Sequence, residues 1–457
     1  MSSSANCSVT LLSRREHGLP KAFGEVPRSP LTYKQALAWL YGLQRFGIKL
    51  GLENIQLLIA ELSTKGDLAH GGLFATGRIR PTGGEAAAPW KVIHVAGTNG
   101  KGSVCAMIDS ILRAQGYRTG LFTSPHLVTF RERIRVNGEM ISEDAVAAGL
   151  TAIRVLIADW NPHPTFFEVA TALALKHFAE TKIDFVILET GLGGRLDATN
   201  AIQSNVSVIT PIDFDHEKWL GRSLGEIAAE KAGIIKRKVP VVSAAQRSEA
   251  DEAIRARAAE CEAPIKYVTA FYDKTSIALA GSHQKQNAAL AIAALRAAKI
   301  DIGESAIVRG LANVEWPARF QKWDERIVID GAHNPGAARA LVETWREVFG
   351  DHRATLILAV LSDKDLRGIC EAFVPISNCV FLPKIRSERA APPEDLARAL
   401  SAIAPSLPYS IAPSIAHALD QARERPRPIL LTGSLHFAGE ALAHLRGKPA
   451  AFEECAQ

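Results

Sequence analysis

The sequence predicts an α/β protein in two parts, a P-loop parallel-sheet domain followed by a smaller Rossmann-like α/β domain. Short apolar runs alternate with segments of helical period, the pattern of a parallel sheet covered by helices. A glycine-rich run over 97–102 falls between one such strand and one such helix. After Trp316-Pro317 the alternation starts again, which marks a second unit.

In chain order, residues 1–30 read as a disordered lead-in, rich in Ser and without apolar periodicity. Between Tyr33 and Leu62, Leu37, Leu40, Tyr41, Ile55, Leu58 and Ile59 recur at helical spacing, and Gly47 and Gly51 divide the stretch into two helices. Residues 63–89, with Pro81 and Pro89, read as a loop. Lys91 to Ala96 reads as a buried strand, and a helix follows from about Gly102 to Gln115. Asp184 to Glu189 and Val206 to Pro211 are further strands; 166–180, 223–237 and 284–299 are helices. In the second unit the strands are Arg326 to Asp330, Thr355 to Leu361, Cys379 to Lys384 and Pro428 to Thr432. These patterns predict a first domain over 31–318, a second over 319–447 and a tail over 448–457.

A chain of 457 residues with 47% hydrophobic and 22% charged residues builds more than one core and is not disordered throughout. Its net charge of +5 favours anionic ligands slightly and is no nucleic-acid signature. Six scattered cysteines without a C-x-x-C pair argue against a disulfide framework or structural zinc and fit a reducing cytoplasm. The apolar runs are too short for a membrane span, so neither membrane nor nucleic acid is expected as a partner.

The strongest local signal is His94-Val95-Ala96-Gly97-Thr98-Asn99-Gly100-Lys101-Gly102-Ser103. Glycines let backbone N–H groups converge on a phosphate while the following helix presents its positive end. Thr98, Asn99, Gly100, Lys101, Gly102 and Ser103 are therefore nucleotide-binding candidates, with Lys101 on the terminal phosphates and the Ser103 hydroxyl toward Mg²⁺. Gly102 between the lysine and the serine departs from the usual G-x-x-x-x-G-K-[ST] spacing. An ordinary strand-to-helix turn is the plain alternative. With strand, turn and helix in the required order, an ATPase domain is the better reading.

Around this loop, Gly47-Ile48-Lys49-Leu50-Gly51, Thr123-Ser124-Pro125-His126-Leu127 with Phe130-Arg131-Glu132-Arg133, and Thr165-Phe166-Phe167-Glu168 follow in order. So do Glu189-Thr190-Gly191-Leu192-Gly193-Gly194-Arg195-Leu196-Asp197, Asp215-His216, Glu230-Lys231-Ala232-Gly233, His283-Gln284, Asp330-Gly331-Ala332-His333-Asn334-Pro335 and Leu361-Ser362-Asp363-Lys364-Asp365. Together they resemble the folylpolyglutamate synthase/dihydrofolate synthase family of the Mur ligase superfamily, over about residues 33–440. The resemblance implies an ATP-dependent ligase that adds L-glutamate to dihydropteroate or folates through an acyl phosphate.

It also implies roles for particular residues. Ser124, Glu168 and His216 would hold Mg²⁺, with Ser103 at the metal nearest the phosphates and room for two ions. Glu168, read alone, is an ordinary first-turn acid compensating a helix dipole. Ser124, Pro125, His126 and Arg131 would face the folate, and Ser124-Pro125 is a bond that can be cis at little cost. Lys231, read alone a solvated lysine, would be carbamylated, and with Lys101, Glu168 and His216 would make the catalytic set. Asn287, Arg319, Asp330 and His333 would hold ATP. Where the family commonly has Pro-Gly-Arg, this chain has Pro317-Ala318-Arg319, which puts the local turn in question.

The nearest alternative is a murein peptide ligase, which needs an N-terminal α/β domain for which the helices and loop before residue 91 leave no room. A non-catalytic nucleotide switch would keep the P-loop but not the loop at 124–126 with Glu168 and His216. The enzyme is expected to act as a monomer.

Overall fold

The computed structural model describes residues 30–47, 51–65 and 90–453. Most of the predicted lead-in at 1–30 and of the loop at 63–89 lies outside them, although the helix Glu53–Lys65 runs into the segment read as loop. The strands of the first unit are β1 (Lys91–Ala96), β2 (Thr119–Phe122), β3 (Ile134–Val136), β4 (Glu139–Met140), β5 (Phe185–Glu189), β6 (Val206–Ile209), β7 (Val241–Ala244) and β8 (Ile265–Val268). They form one sheet in the order β4-β3-β2-β5-β1-β6-β7-β8. From β2 to β8 the neighbours are parallel; the β3–β4 hairpin adds antiparallel to β2.

Alternation across the pleat explains the layers. Val92, Val186 and Leu188 face one core, which they share with helices Tyr33–Gly42, Glu143–Leu156 and Phe166–Glu180. Ile93, Val95 and Ile187 face the other, covered by helices Lys101–Gln115 and Ser282–Ala297. β2, β3, β4, β7 and β8 were not read from the sequence. β2 contains Gly120, where a Cβ would stand 2.7 Å from a Phe178 ring carbon, so a packing constraint removed a side chain that would have marked the strand.

The second unit holds β9 (Gln321–Lys322), β10 (Ile327–Ile329), β11 (Ala354–Leu358), β12 (Ser377–Pro383), β13 (Tyr409–Ala412) and β14 (Ile429–Thr432). Their order is β13-β12-β11-β14-β10-β9, parallel except for β9. Residues 448–453 do more than trail. A 3₁₀ turn over Pro449–Ala451 brings Phe452 and Glu453 back against residues 126–130 of the first unit.

Two features position the site. β1 lies between β5 and β6, but the chain leaves β1 for β2 on the far side of β5, so the strand order reverses there. A crevice opens at the carboxyl ends of such strands. The loops that line it follow β1, β5 and β6.

Candidate active site

The loop after β1 is braced from β6. The N–H groups of Thr98 and Asn99 both donate to Pro211 O (3.1 and 3.2 Å), and the Thr98 hydroxyl pairs with the Asp213 backbone. Thr98 and Asn99, expected on the nucleotide, thus spend these groups inside the protein and fix the loop's path. The free donors are the first N–H groups of helix Lys101–Gln115, which no helical carbonyl can reach. Gly100 caps that helix at φ +91°, and a Cβ there would stand 2.6 Å from Asn287 Oδ1. Gly102, the departure from the usual motif, lies under the hinge residue Trp316, whose indole nitrogen would be 2.8 Å from an added Cβ. Ser103 is buried in the same first turn.

Beneath the loop is Lys231. It lies in helix Leu224–Ala232, is buried, and donates to Gly97 O at 2.9 Å. It is not the solvated lysine of the plain reading. Burial, and then the charge of Lys101, lower its pKa to about 7, against the opposing pull of Asp215 and Asp197.

β5 ends in Glu189, in register with Val95 on β1. Its Oε2 accepts the Ser124 N–H at 3.2 Å. Burial raises its pKa, while Lys101, the Ser124 N–H, Arg319 and Arg133 oppose that. The carboxylate therefore sits among the cations of both units. The Ser124-Pro125 peptide is cis. After Glu189, Asp197 Oδ2 accepts the N–H groups of Gly191 and Leu192 (both 2.9 Å), which holds the glycine-rich turn in place.

Three expected site residues are engaged elsewhere. Glu168 Oε2 accepts both the N–H and the hydroxyl of Thr165 (2.8 Å each), the capping box that starts helix Phe166–Glu180. His126 is buried with both ring nitrogens used: Arg133 Nε donates to Nδ1 (2.8 Å), and Nε2 meets Glu453 O (3.1 Å). Arg131 Nε donates to Ile141 O at 2.6 Å, and its guanidinium lies 3.7 Å from Glu143. His126 and Arg131 thus tie the 124–133 segment together.

The loop after β6 carries Asp215 and His216, the latter in the left-handed region at φ 53°. His216 is 38% exposed at its side chain and 3.9 Å from Asp215. Asp215 Oδ1 accepts the nearly buried Lys364 ammonium at 2.6 Å, and Oδ2 lies 3.6 Å from His333 Nε2. Burial alone would raise the Asp215 pKa; His333, His216 and Lys364 outweigh it and hold the carboxyl well below the usual range. Asn334, which caps helix Pro335–Phe349, donates to Asn99 Oδ1 at 3.0 Å, so the second unit touches the P-loop directly. Past the hinge, Asp330 accepts the N–H groups of Phe320 and Ala332 (2.7 and 2.8 Å), and Arg319 opposes the burial that raises its pKa. Ala318 sits at φ 55°, the conformation a glycine would take without strain.

Glu189, Asp215, Asn334 and Lys364 were not among the sequence candidates, although each lies within or beside a quoted motif. The signal for Glu189 was its place: the last residue of a buried strand, at the crevice. The donor set suits Mg²⁺ with a nucleotide. Among the described residues no three His, Cys, Asp or Glu side chains converge on one point. A metal here would rely on hydroxyl and phosphate oxygens besides one or two protein ligands, as Mg²⁺ on phosphates does.

A phosphate loop at the switch point of one parallel sheet, faced by a second α/β unit across a hinge, defines a Mur ligase. The model of the Mur ligase middle domain matches residues 95–264, and that of the Mur ligase glutamate ligase domain matches 318–435. The chain is 33% identical to the dihydrofolate synthase/folylpolyglutamate synthase of Bacillus subtilis, over 91% of this chain and 99% of that protein. The structure of Escherichia coli FolC in complex with DHPP and ADP superposes with a TM-score of 0.79 at 31% identity, covering 93% of this chain and 99% of that one. A bifunctional folylpolyglutamate synthase/dihydrofolate synthase with Mn, AMPPNP and L-glutamate bound gives 0.76 at 29% identity, covering 92% and 100%. This chain belongs to the folylpolyglutamate synthase/dihydrofolate synthase family.

Proposed function

We infer that this chain is an ATP-dependent ligase joining L-glutamate to the carboxylate of dihydropteroate or of folates. The observation that carries the reading is the convergence of Lys101, Glu189, Lys231 and Ser124 of the first unit with Arg319, Asp330, His333 and Lys364 of the second. The relatives named for this reaction, and the DHPP, nucleotide, metal and L-glutamate bound in its structural neighbours, support it.

A carboxylate is a poor acceptor for an amine, because oxide would have to leave. Transfer of the terminal phosphoryl group of ATP to it creates an acyl phosphate, from which the glutamate amine displaces phosphate. Such transfer needs alignment and charge neutralisation more than a protein nucleophile. The helix Lys101–Gln115 N-terminus and Lys101 would hold the phosphates, with Gly100, Gly102, Asn287, Arg319, Asp330 and His333 around the nucleotide. Mg²⁺, when bound, supplies positive charge to the phosphates, and Ser103, Ser124, Glu189 and His216 would hold it. In this ligand set Glu189 takes the place of Glu168, whose Oε2 is spent on its own helix start.

With its pKa lowered to about 7, Lys231 presents free amine at neutral pH. It would add CO₂ and release a proton, giving a carbamate beneath the P-loop. The cysteines Cys105, Cys261, Cys370 and Cys379 are free and buried, which supports a reducing cytoplasm. We place the domain boundary at 318/319, between the hinge and β9.

The test is glutamate incorporation by purified protein with ATP and, in turn, dihydropteroate, a reduced folate and a uridine-linked muropeptide. Ligation to a pterin acceptor with one ADP released per bond is expected. Preference for the muropeptide, or ATP turnover indifferent to glutamate and pterin, would overturn the reading.

A further inference from the structure

The loop from Ser124 to Val128 has no regular structure of its own, yet it carries the Ser124 N–H that donates to Glu189 Oε2 at 3.2 Å. Part of its support is local. Glu132 turns back and accepts the N–H groups of Leu127, Val128 and Thr129 (2.8, 3.0 and 3.2 Å). The rest comes from more than three hundred residues away. Glu453 N donates to Val128 O at 2.8 Å, and Glu453 O meets His126 Nε2 at 3.1 Å. The Glu453 carboxylate accepts the Phe130 N–H (2.6 Å), the Thr129 hydroxyl (3.1 Å) and the Tyr33 hydroxyl (3.0 Å).

Three donors converge on that carboxylate from the loop's exit and from the helix Tyr33–Gly42. A carboxylate only accepts, so it satisfies all three; an amide would turn its NH₂ toward a donor. The seam is also close-packed. Leu127 and Val128 lie in the core of the second unit with Phe437 and Leu442. A Cβ on Gly439 would stand 1.9 Å from Leu127 O, so helix Leu435–Leu445 rests its backbone on the loop. Phe452 packs edge-on to His436, with ring centroids 5.0 Å apart, and so fixes the residue beside Glu453.

We propose that Glu453 is a positioning residue for the 124–128 loop, and that through it the second unit sets the affinity for the pterin acceptor. This rests on the functional reading above and on the expectation from the family resemblance that Ser124 and Pro125 face the acceptor. Glu453 touches no reacting atom. It acts by holding the backbone at 126–130, next to the Ser124 N–H that donates to Glu189.

Steady-state kinetics of Glu453→Ala, Glu453→Gln and Tyr33→Phe, with ATP and acceptor varied separately, read this out. For Glu453→Ala the acceptor KM should rise about tenfold, the scale of a small misplacement of a binding group, with a distinctly smaller rise in the ATP KM because Ser124 also stands in the proposed metal set. Glu453→Gln, which keeps the volume and one acceptor oxygen, should give a smaller rise. Tyr33→Phe leaves the loop's own bonds to Glu453 intact and should keep the wild-type acceptor KM. A purely structural role would lower thermal stability and move both KM values together or neither, and that result overturns the proposal.

Amide hydrogen exchange over residues 124–130 separates this inference from the functional one. Faster exchange there in Glu453→Ala is expected. Unchanged exchange refutes the positioning role whatever the substrate is. Faster exchange in a protein whose wild type ligates glutamate to no pterin sinks the functional reading and leaves the tie itself standing.

Discussion

Replacing Lys231 by Met should leave the protein inactive yet more stable at neutral pH, and both effects come from one buried amine. Lys231 is 5% exposed, and its amine donates to Gly97 O at 2.9 Å. Its pKa falls from 10.5 to about 7 in the folded protein, because burial disfavours the ammonium ion and Lys101 repels it. Between those values the unfolded chain binds one proton more than the folded one, so stability rises with pH by about 1.4 kcal/mol per unit. Below about pH 7 both states are protonated and the slope vanishes. The accumulated penalty at pH 7 is on the order of 5 kcal/mol. Met removes it and leaves Gly97 O without its donor, which costs about 1–3 kcal/mol. The variant should then be more stable than wild type by roughly 2–4 kcal/mol at pH 7, with the two curves crossing near pH 9. Paired urea titrations from pH 7 to 9.5 in bicarbonate-free buffer measure this. Added bicarbonate should stabilise wild type and not the variant, by mass action on the carbamate. Parallel curves for the two proteins would mean that Lys231 is a buried ammonium ion, and the carbamate proposal would fall with it.

Lys101→Ala should fold normally and lose at least about a hundredfold in ligation, since its charge serves phosphate rather than packing; near-wild-type incorporation would refute the P-loop role. Glu189→Gln should shift the Mg²⁺ dependence of activity. Combined with His216→Ala it should lose less than the sum of the two, because either change disables the shared metal position. Glu168→Gln, by contrast, keeps the acceptor oxygen of the capping box and should stay within about 1 kcal/mol of wild type with the Mg²⁺ midpoint unmoved; a moved midpoint would restore Glu168 to the ligand set. Ala318→Gly should stay within about 1 kcal/mol of wild type, relief of the left-handed strain being offset by the freer unfolded chain and the lost methyl. Ala318→Val should cost more than about 2 kcal/mol in urea denaturation, as a β-branched residue at positive φ in a full core.

The sheets were legible where strands are apolar runs followed by a sharp turn: β1, β5, β6 and the strands β10, β11, β12 and β14. β2 was hidden by Gly120, and β8, at the sheet edge, is half exposed and lacks the apolar run. At the site, the placement of Lys101 and Ser103 in the first helical turn after β1 was readable from the local pattern. Residues whose role depends on a distant partner were not. His126 looks free for a ligand until Arg133 and the backbone of Glu453 take its two nitrogens. Glu189 closes a buried strand and reads as part of it, while Glu168, at a helix start, looks more available than its capping box leaves it. Of the two local departures in the sequence, Gly102 lies where Trp316 leaves no room for a Cβ, and Ala318 falls where the backbone takes a glycine-like conformation.

The two units meet through polar contacts at the P-loop and the loop beside it, where the proposed phosphate site lies. Asn334 reaches Asn99, Lys364 reaches Asp215, and Gly336 comes so close that a Cβ there would stand 2.2 Å from Asp213 Oδ2. All three contacts fall on the P-loop or on the loop after β6 that braces it through Pro211. Any change in how the second unit seats therefore moves the groups that position the nucleotide. The Ser124 loop is tied to the same unit through Leu127, Val128 and Glu453. The second unit thus bears on the P-loop and on the Ser124 loop at once. An acyl phosphate survives only where water is kept out while the amine arrives. A seam that aligns both substrates when it closes meets both needs with a single motion.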